Sequence, residues 1–323
     1  MRILSGIQPS GALHLGNYFA MMKPMIEYQE KETLFCFIVN YHALTTVFDR
    51  GSLRRNTVEA VCDFLSLGLD PDKAIFWIQS DIPEVTELTW ILSNVTSLGL
   101  LERAHSYKDK LARGISPNTG LFIYPILMAA DILLFGAEKI PVGKDQQQHV
   151  EMVRDIAIRF NHIYGETFVI PESHIVEDVA VIPGIDGQKM SKSYNNTIQI
   201  FCAEEELRKK VMSIKTDSKL VNEPKDPDRC ILFALYSLFL TKEEIATLRD
   251  RYITPGLKYS DIKKELYARI WEYFSPFREK RKKIMNDRDY IAHVLKKGAE
   301  KARAIGEVYL ARAQHNVGLD YWV

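Results

Sequence analysis

Residues 3–17 read ILSGIQPSGALHLGN. A β-rich apolar run at 3–7 breaks at Pro9, Ser10 and Gly11, and a helical pattern opens near His14. Further β-rich runs stand at 34–40, 74–79 and 140–143, each followed by a turn or cap signal and then a helical pattern. This alternation predicts an α/β fold: a Rossmann-type, doubly wound parallel sheet with helices on both faces. Ligands of such sheets bind outside the carboxyl ends of the strands, which directs attention to 6–16, 40–46 and 143–149.

Beyond about residue 201 the strand signals stop. Segments 203–214, 231–240, 241–252, 260–285 and 292–313 all fit helices, and Thr241 with Glu244 forms a capping box. The breaker cluster at 183–187, PGIDG, separates the two regions. The expected domains are therefore 1–187, of Rossmann type, and 188–323, all-helical, with a last helix able to pack back on the first domain.

The 323 residues carry 42 Lys and Arg and 42 Asp and Glu, with 46% hydrophobic residues, which excludes a disordered chain. The zero sum hides an asymmetry. Residues 1–200 hold 17 basic and 23 acidic side chains, net −6; residues 201–323 hold 25 and 19, net +6. Such asymmetry fits a polyanion-binding part. The dense run at 278–283, REKRKK, fits that use or a solvated helix face. Four scattered cysteines form neither a disulfide framework nor a zinc pattern and fit reduced thiols in a cytoplasmic protein. The start has no long apolar core, so no leader is expected. The most apolar stretch, 120–137, carries Pro125 and Asp131 and falls short of the about 20 apolar residues a membrane helix needs.

Two segments invite chemistry. At 8–17 small residues and a helix start offer N–H groups to a phosphate, with His14 and Asn17 as side-chain donors; a plain strand-to-helix turn with a capping histidine fits as well. It matches neither G-x-G-x-x-G nor a P-loop. At 189–193, KMSKS sets two lysines beside small hydroxyls after a glycine-bearing turn. Such a loop can close over a polyphosphate and meet developing negative charge, or be a plain exposed loop.

Together the two segments resemble the signatures of the class I aminoacyl-tRNA synthetases. HLGN at 14–17 is similar to their HIGH motif and KMSKS matches the second signature in full. The opening SGIQPSG, the MAAD helix at 128–131 and the strand end PVG-x-DQ-x-QH at 141–149 are similar to the tryptophan branch of bacterial type.

The resemblance implies activation of tryptophan by ATP, carried with Mg²⁺, and transfer of tryptophan to the 3′ end of tRNA(Trp). It implies catalytic roles for His14, Lys110, Lys189 and Lys192. ATP contacts fall on Gln8, Ser10, Gly16, Asn17, Gly143, Lys144 and Asp145, and on Met190, Ser191 and Ser193 of the loop. Tryptophan contacts fall on Gly6, His42, Tyr124, Met128, Asp131, Val142 and Gln146. The helical region becomes a tRNA anticodon-binding domain, and the assembly a homodimer, to which the apolar segment 86–101 contributes unless it belongs to the core.

Tyr124, Met128 and Asp131 share one helix face. A buried Asp131 needs a donor: an indole N–H, which has no acceptor side, or an internal side chain. Tyrosine-specific relatives carry Gln where Met128 stands, so Met128 favours tryptophan. Three departures or ambiguities stand beside this match. Lys144 replaces a frequent Glu, Leu4 replaces a frequent Phe, and Lys108, Lys110 and Arg113 suit a solvated loop as well as a pyrophosphate contact. With only Cys202 and Cys230 beyond residue 187, no iron–sulfur cluster is expected, and no zinc. The alternatives are the tyrosine-specific enzyme, a small-molecule adenylyltransferase and a non-catalytic tRNA-binding paralogue.

Overall fold

The computed structural model describes residues 1–9, 11–104, 107–108, 118–143, 146–175 and 182–321. Five strands, β1 (Arg2–Ile7), β2 (Thr33–Ile38), β3 (Ile75–Ile78), β4 (Lys139–Val142) and β5 (Glu172–Ile175), form one sheet in the order β3-β2-β1-β4-β5. Every pairing is parallel. Leu34 to Ile38 are all buried, the continuous apolar run that a strand covered on both faces requires. Phe37 stacks on Trp77 at 4.9 Å between centroids and 5° between planes, locking β2 to β3. The chain crosses from the β2–β3 side of β1 to the other side after β3, so the strand order reverses between β1 and β4, the place where doubly wound sheets open a crevice.

The chain divides into two compact units. The first comprises Met1–Gly11, Met25–Val176 and Asp287–Val323; the second comprises Ala12–Pro24 and Glu177–Asn286. The units are not two consecutive stretches of chain, for two physical reasons. The 30-residue helix Arg288–Val317 belongs with the sheet, because it lays small residues on it. A Cβ at Gly298 would stand 1.8 Å from the Phe76 carbonyl oxygen, and Ala299, Ala302 and Ala313 are buried along the same helix. The segment 12–24 belongs with the helical unit, because its backbone runs beside 198–200. Leu15 N–H donates to the Ile198 carbonyl and Ile200 N–H to the Leu13 carbonyl, both at 3.0 Å.

Charge follows these units. The second holds 22 Lys and Arg against 17 Asp and Glu, net +5, which leaves the first at −5.

Candidate active site

In the first unit the groups gather at the carboxyl ends of β2, β3 and β4. The helix Thr119–Leu133 carries Asp131, which is 2% exposed and sits among apolar side chains. Its carboxylate is answered from two strand ends. His42, on the short helix after β2, meets Oδ2 through Nε2 at 2.8 Å. Gln79, fully buried just after β3, donates Nε2 to both carboxylate oxygens at 2.8 Å. Burial pushes the Asp131 carboxyl above the ordinary range, against the pull of His42 and Gln79. A carboxylate offers about four lone-pair sites. The three contacts load Oδ2 more than Oδ1, so Oδ1 retains room for one further donor.

A second network lies beside it. Tyr124 and His42 meet edge-to-face at 6.2 Å. His149, 5% exposed on the helix Gln147–Tyr164, bonds the Tyr124 hydroxyl through Nε2 at 2.5 Å and Gln146 Oε1 through Nδ1 at 2.8 Å. With Gln146 Oε1 accepting, the imidazole proton sits on Nδ1 and the tyrosine donates to Nε2. Met128 packs partly buried against the core on the same helix as Tyr124 and Asp131, and Val142 does so at the end of β4. Gly6 is exposed near the end of β1, where a Cβ would strike Val39 Cγ1 at 2.8 Å. Gln8 and Gly143 are also exposed at strand ends. Ser10, Lys110, Lys144 and Asp145 lie outside the described residues.

Gln79 and His149 hold this site together; the sequence places His149 at the end of the 141–149 motif without giving it a role, and does not point to Gln79. A glutamine ending the run 74–79 was a signal only in that it closes a fourth strand end.

The second unit brings His14, Gly16, Asn17 and the 189–193 loop into one cluster. His14 caps the three-residue helix Leu15–Asn17 reciprocally: Asn17 N–H donates to His14 Nδ1, and His14 N–H to Asn17 Oδ1, both at 3.3 Å. Because Nδ1 accepts, the ring proton sits on Nε2. Burial, and then the nearby Lys192 ammonium, lower the His14 pKa to about 4, so the ring is a neutral donor near pH 7. Gly16 N–H donates to Met190 Sδ at 3.3 Å. The expected presentation of unpaired helix N–H groups to phosphate is therefore not what the fold provides. The N–H groups of Leu15, Gly16 and Asn17 are all engaged within the unit. Lys189, Lys192 and Ser193 are exposed, and Ser191 and Ser193 share a 2.8 Å hydroxyl contact.

Among the described residues no group of three or more His, Cys, Asp or Glu is placed to hold a metal ion. None of the four cysteines is in a disulfide.

Residues 1–275 match the family of class I tRNA synthetases for W and Y. The chain belongs to this family. It is 50% identical over 319 residues to the tryptophan–tRNA ligase of Fusobacterium nucleatum, covering 98% of each chain. Its fold is similar to the tryptophanyl-tRNA synthetase of Campylobacter jejuni complexed with ADP and tryptophan, with a TM-score of 0.94 and 49% identity over 98% of this chain and 100% of that one. It is also similar to the tryptophanyl-tRNA synthetase of Mycoplasma pneumoniae, with a TM-score of 0.82 and 30% identity over 98% and 97%. The sheet of this class I synthetase is thus a Rossmann-type catalytic fold with a helical carboxyl-terminal part.

Proposed function

We propose that this class I synthetase is a tryptophan–tRNA ligase. It joins L-tryptophan to ATP, forming tryptophanyl-adenylate and pyrophosphate, then passes tryptophan to the 3′ end of tRNA(Trp). The observation that carries the reading is Asp131: a buried carboxylate with room for one more donor, on the helix face of Met128 and Tyr124. An indole supplies one N–H and a broad apolar ring, and no acceptor that Met128 would leave unmatched. The relatives from Fusobacterium nucleatum and Campylobacter jejuni carry the same activity in their names.

In the first step a carboxylate oxygen of tryptophan attacks the α-phosphorus of ATP. The bond from that phosphorus to the bridging oxygen breaks, and the electron pair leaves with pyrophosphate. No protein nucleophile or base is needed; positioning and charge stabilisation do the work. Asp131 receives the indole N–H. Gln146 offers its NH₂ to the amino acid carboxylate, with His149 holding the amide and the Tyr124 hydroxyl. His14 gives its Nε2–H to a phosphate oxygen as a neutral donor. Lys189 and Lys192, with Lys110, meet the charge that collects on pyrophosphate, and Mg²⁺ enters with ATP on phosphate oxygens and water. The terminal ribose hydroxyl of the tRNA then attacks the adenylate carbonyl, and AMP leaves.

The basic second unit suits the anticodon stem, its lysines and arginines meeting phosphates. Trp90 and Leu98 are 72% and 68% exposed, while Leu88, Ile91, Leu92 and Val95 around them are core residues, which supports a homodimer contact there. We place the enzyme in the cytoplasm. Among the described residues no helix is long and apolar enough to cross a membrane.

Amino-acid-dependent exchange of labelled pyrophosphate into ATP tests the assignment, with Trp and Tyr side by side. Exchange with Trp alone is expected. Exchange with Tyr alone would transfer the chain to the tyrosine branch, and exchange with neither would make it a tRNA-binding paralogue.

A further inference from the structure

Asn196 follows the 189–193 loop and is 2% exposed. Its side chain makes three of the four hydrogen bonds open to an amide. Oδ1 accepts the Ser191 N–H at 2.8 Å, and Nδ2 donates to the Lys189 carbonyl at 3.1 Å and to Asp186 Oδ1 at 2.8 Å. The backbone on both sides of Met190 is therefore gripped from one point. The Asn196 carbonyl in turn accepts Ile185 N–H at 3.0 Å, joining the end of the loop to the turn before it. The approach is so close that a Cβ at Gly184 would stand 2.3 Å from Asn196 Cγ. Between the two gripped residues Met190 is buried. Its N–H reaches the Ile182 carbonyl at 3.0 Å and its sulfur accepts Gly16 N–H. The side chains of Lys189 and Lys192 are exposed, so the anchoring acts on the main chain that carries them.

We propose that Asn196 is the positioning residue of the pyrophosphate loop: its amide fixes the backbone from Lys189 to Ser191, and with it the reach of both lysines, without touching substrate. The inference rests on reading this loop as the holder of pyrophosphate. A lysine ammonium on a long flexible stem stabilises departing charge only if its base is already in place. Asp186 braces the amide from outside, and the hydrogen bond from Asn196 helps hold its carboxyl below the usual range.

The test compares Asn196→Ala, Asn196→Asp and the swap D186N/N196D in tryptophan-dependent exchange. Asn196→Ala should lower kcat roughly 100-fold, the scale of a misplaced catalytic group. The KM for tryptophan should stay within about twofold, since the amino acid groups belong to the other unit. Asn196→Asp loses both donors and faces Asp186 with a second carboxylate, so it should fall at least as far. The swap restores the 186–196 hydrogen bond in reverse and keeps an acceptor for Ser191 N–H, while the bond to the Lys189 carbonyl stays lost, so recovery is partial. It should recover about tenfold of the lost kcat. A merely structural brace would instead lower melting temperature and shift kcat and KM together, with no recovery in the swap. Trypsin cleavage after Lys189 and Lys192 gives a readout independent of substrate. Cutting should be faster in Asn196→Ala than in the wild type, and slower in the swap than in Asn196→Asp. Unchanged kcat in Asn196→Ala, or equal cutting rates in all variants, would overturn the inference. If the wild type exchanges with no amino acid, the functional reading fails alone, and the cutting rates still decide the role of Asn196.

Discussion

The Asp131 carboxylate, left alone in an apolar helix, would cost several kcal/mol. Two side chains from separate strand ends answer it, and each becomes part of the pocket by doing so. Gln79→Ala removes the donor that touches both oxygens and leaves His42 in place. The KM for tryptophan should rise about tenfold, the kinetic equivalent of about 1.4 kcal/mol, with KM for ATP little changed. Steady-state exchange measures both constants, and an unchanged tryptophan KM would remove Gln79 from the site. His14 makes a prediction in pH. With its folded pKa near 4 against an ordinary 6.5, the unfolded chain takes up a proton in that window that the folded chain refuses. Stability should therefore drop as pH falls from 6.5 towards 4, and His14→Gln should flatten that slope in urea titrations. A directly observed His14 titration near 6.5, by NMR of labelled histidine, would contradict the neutral donor role.

The helix Arg288–Val317, the last among the described residues, packs against β3. Its register is set by absent side chains: Gly298 stands against the Phe76 backbone, and Gly306 against Leu134. An ion pair between Arg303 and the largely buried Glu84 pins the same helix to the helix Glu84–Ser93. At Gly298 a methyl group would meet main chain, which cannot rotate away as a flexible side chain can. Gly298→Ala should therefore cost about 1–3 kcal/mol despite the better helix propensity of alanine. Thermal denaturation should show a lowered midpoint. A raised midpoint would mean that the helix does not lie this close to β3.

Across the whole molecule the zero net charge is a sum of −5 and +5 on two units. A polyanionic tRNA should bind through the positive one, with affinity falling as salt rises, by roughly 0.7–0.9 in log–log slope per phosphate contact. Aminoacylation should thus show a tRNA KM that climbs between low and moderate salt, while tryptophan-dependent exchange, which needs no tRNA, should hold nearly steady. Replacing Lys280, Lys282 and Lys283 together by alanine should shallow the slope. An unaltered slope would place the tRNA contacts elsewhere. The same unit carries both signature segments, HLGN and KMSKS, so the basic surface and the phosphate-directed side chains belong to one compact body.

The order of residues by itself determined the parallel sheet and the helical remainder, and it singled out His14, Asp131, Lys189 and Lys192 as candidates for chemistry. Period, turn residues and rare residue types in unusual places are local signals. Only the tertiary structure decided which groups satisfy them. Gln79 and Asn196 are ordinary polar residues in the sequence, and His149 is only the last letter of a motif. They acquire their places because a buried carboxylate, amide or carbonyl must be paired, and the partner arrives from a different part of the chain. The same holds for the units. Ala12–Pro24 joins the helical body through backbone bonds to 198–200, and Asp287–Val323 joins the sheet through its small residues. Both assignments rest on close approach between segments far apart in sequence, which no local pattern encodes.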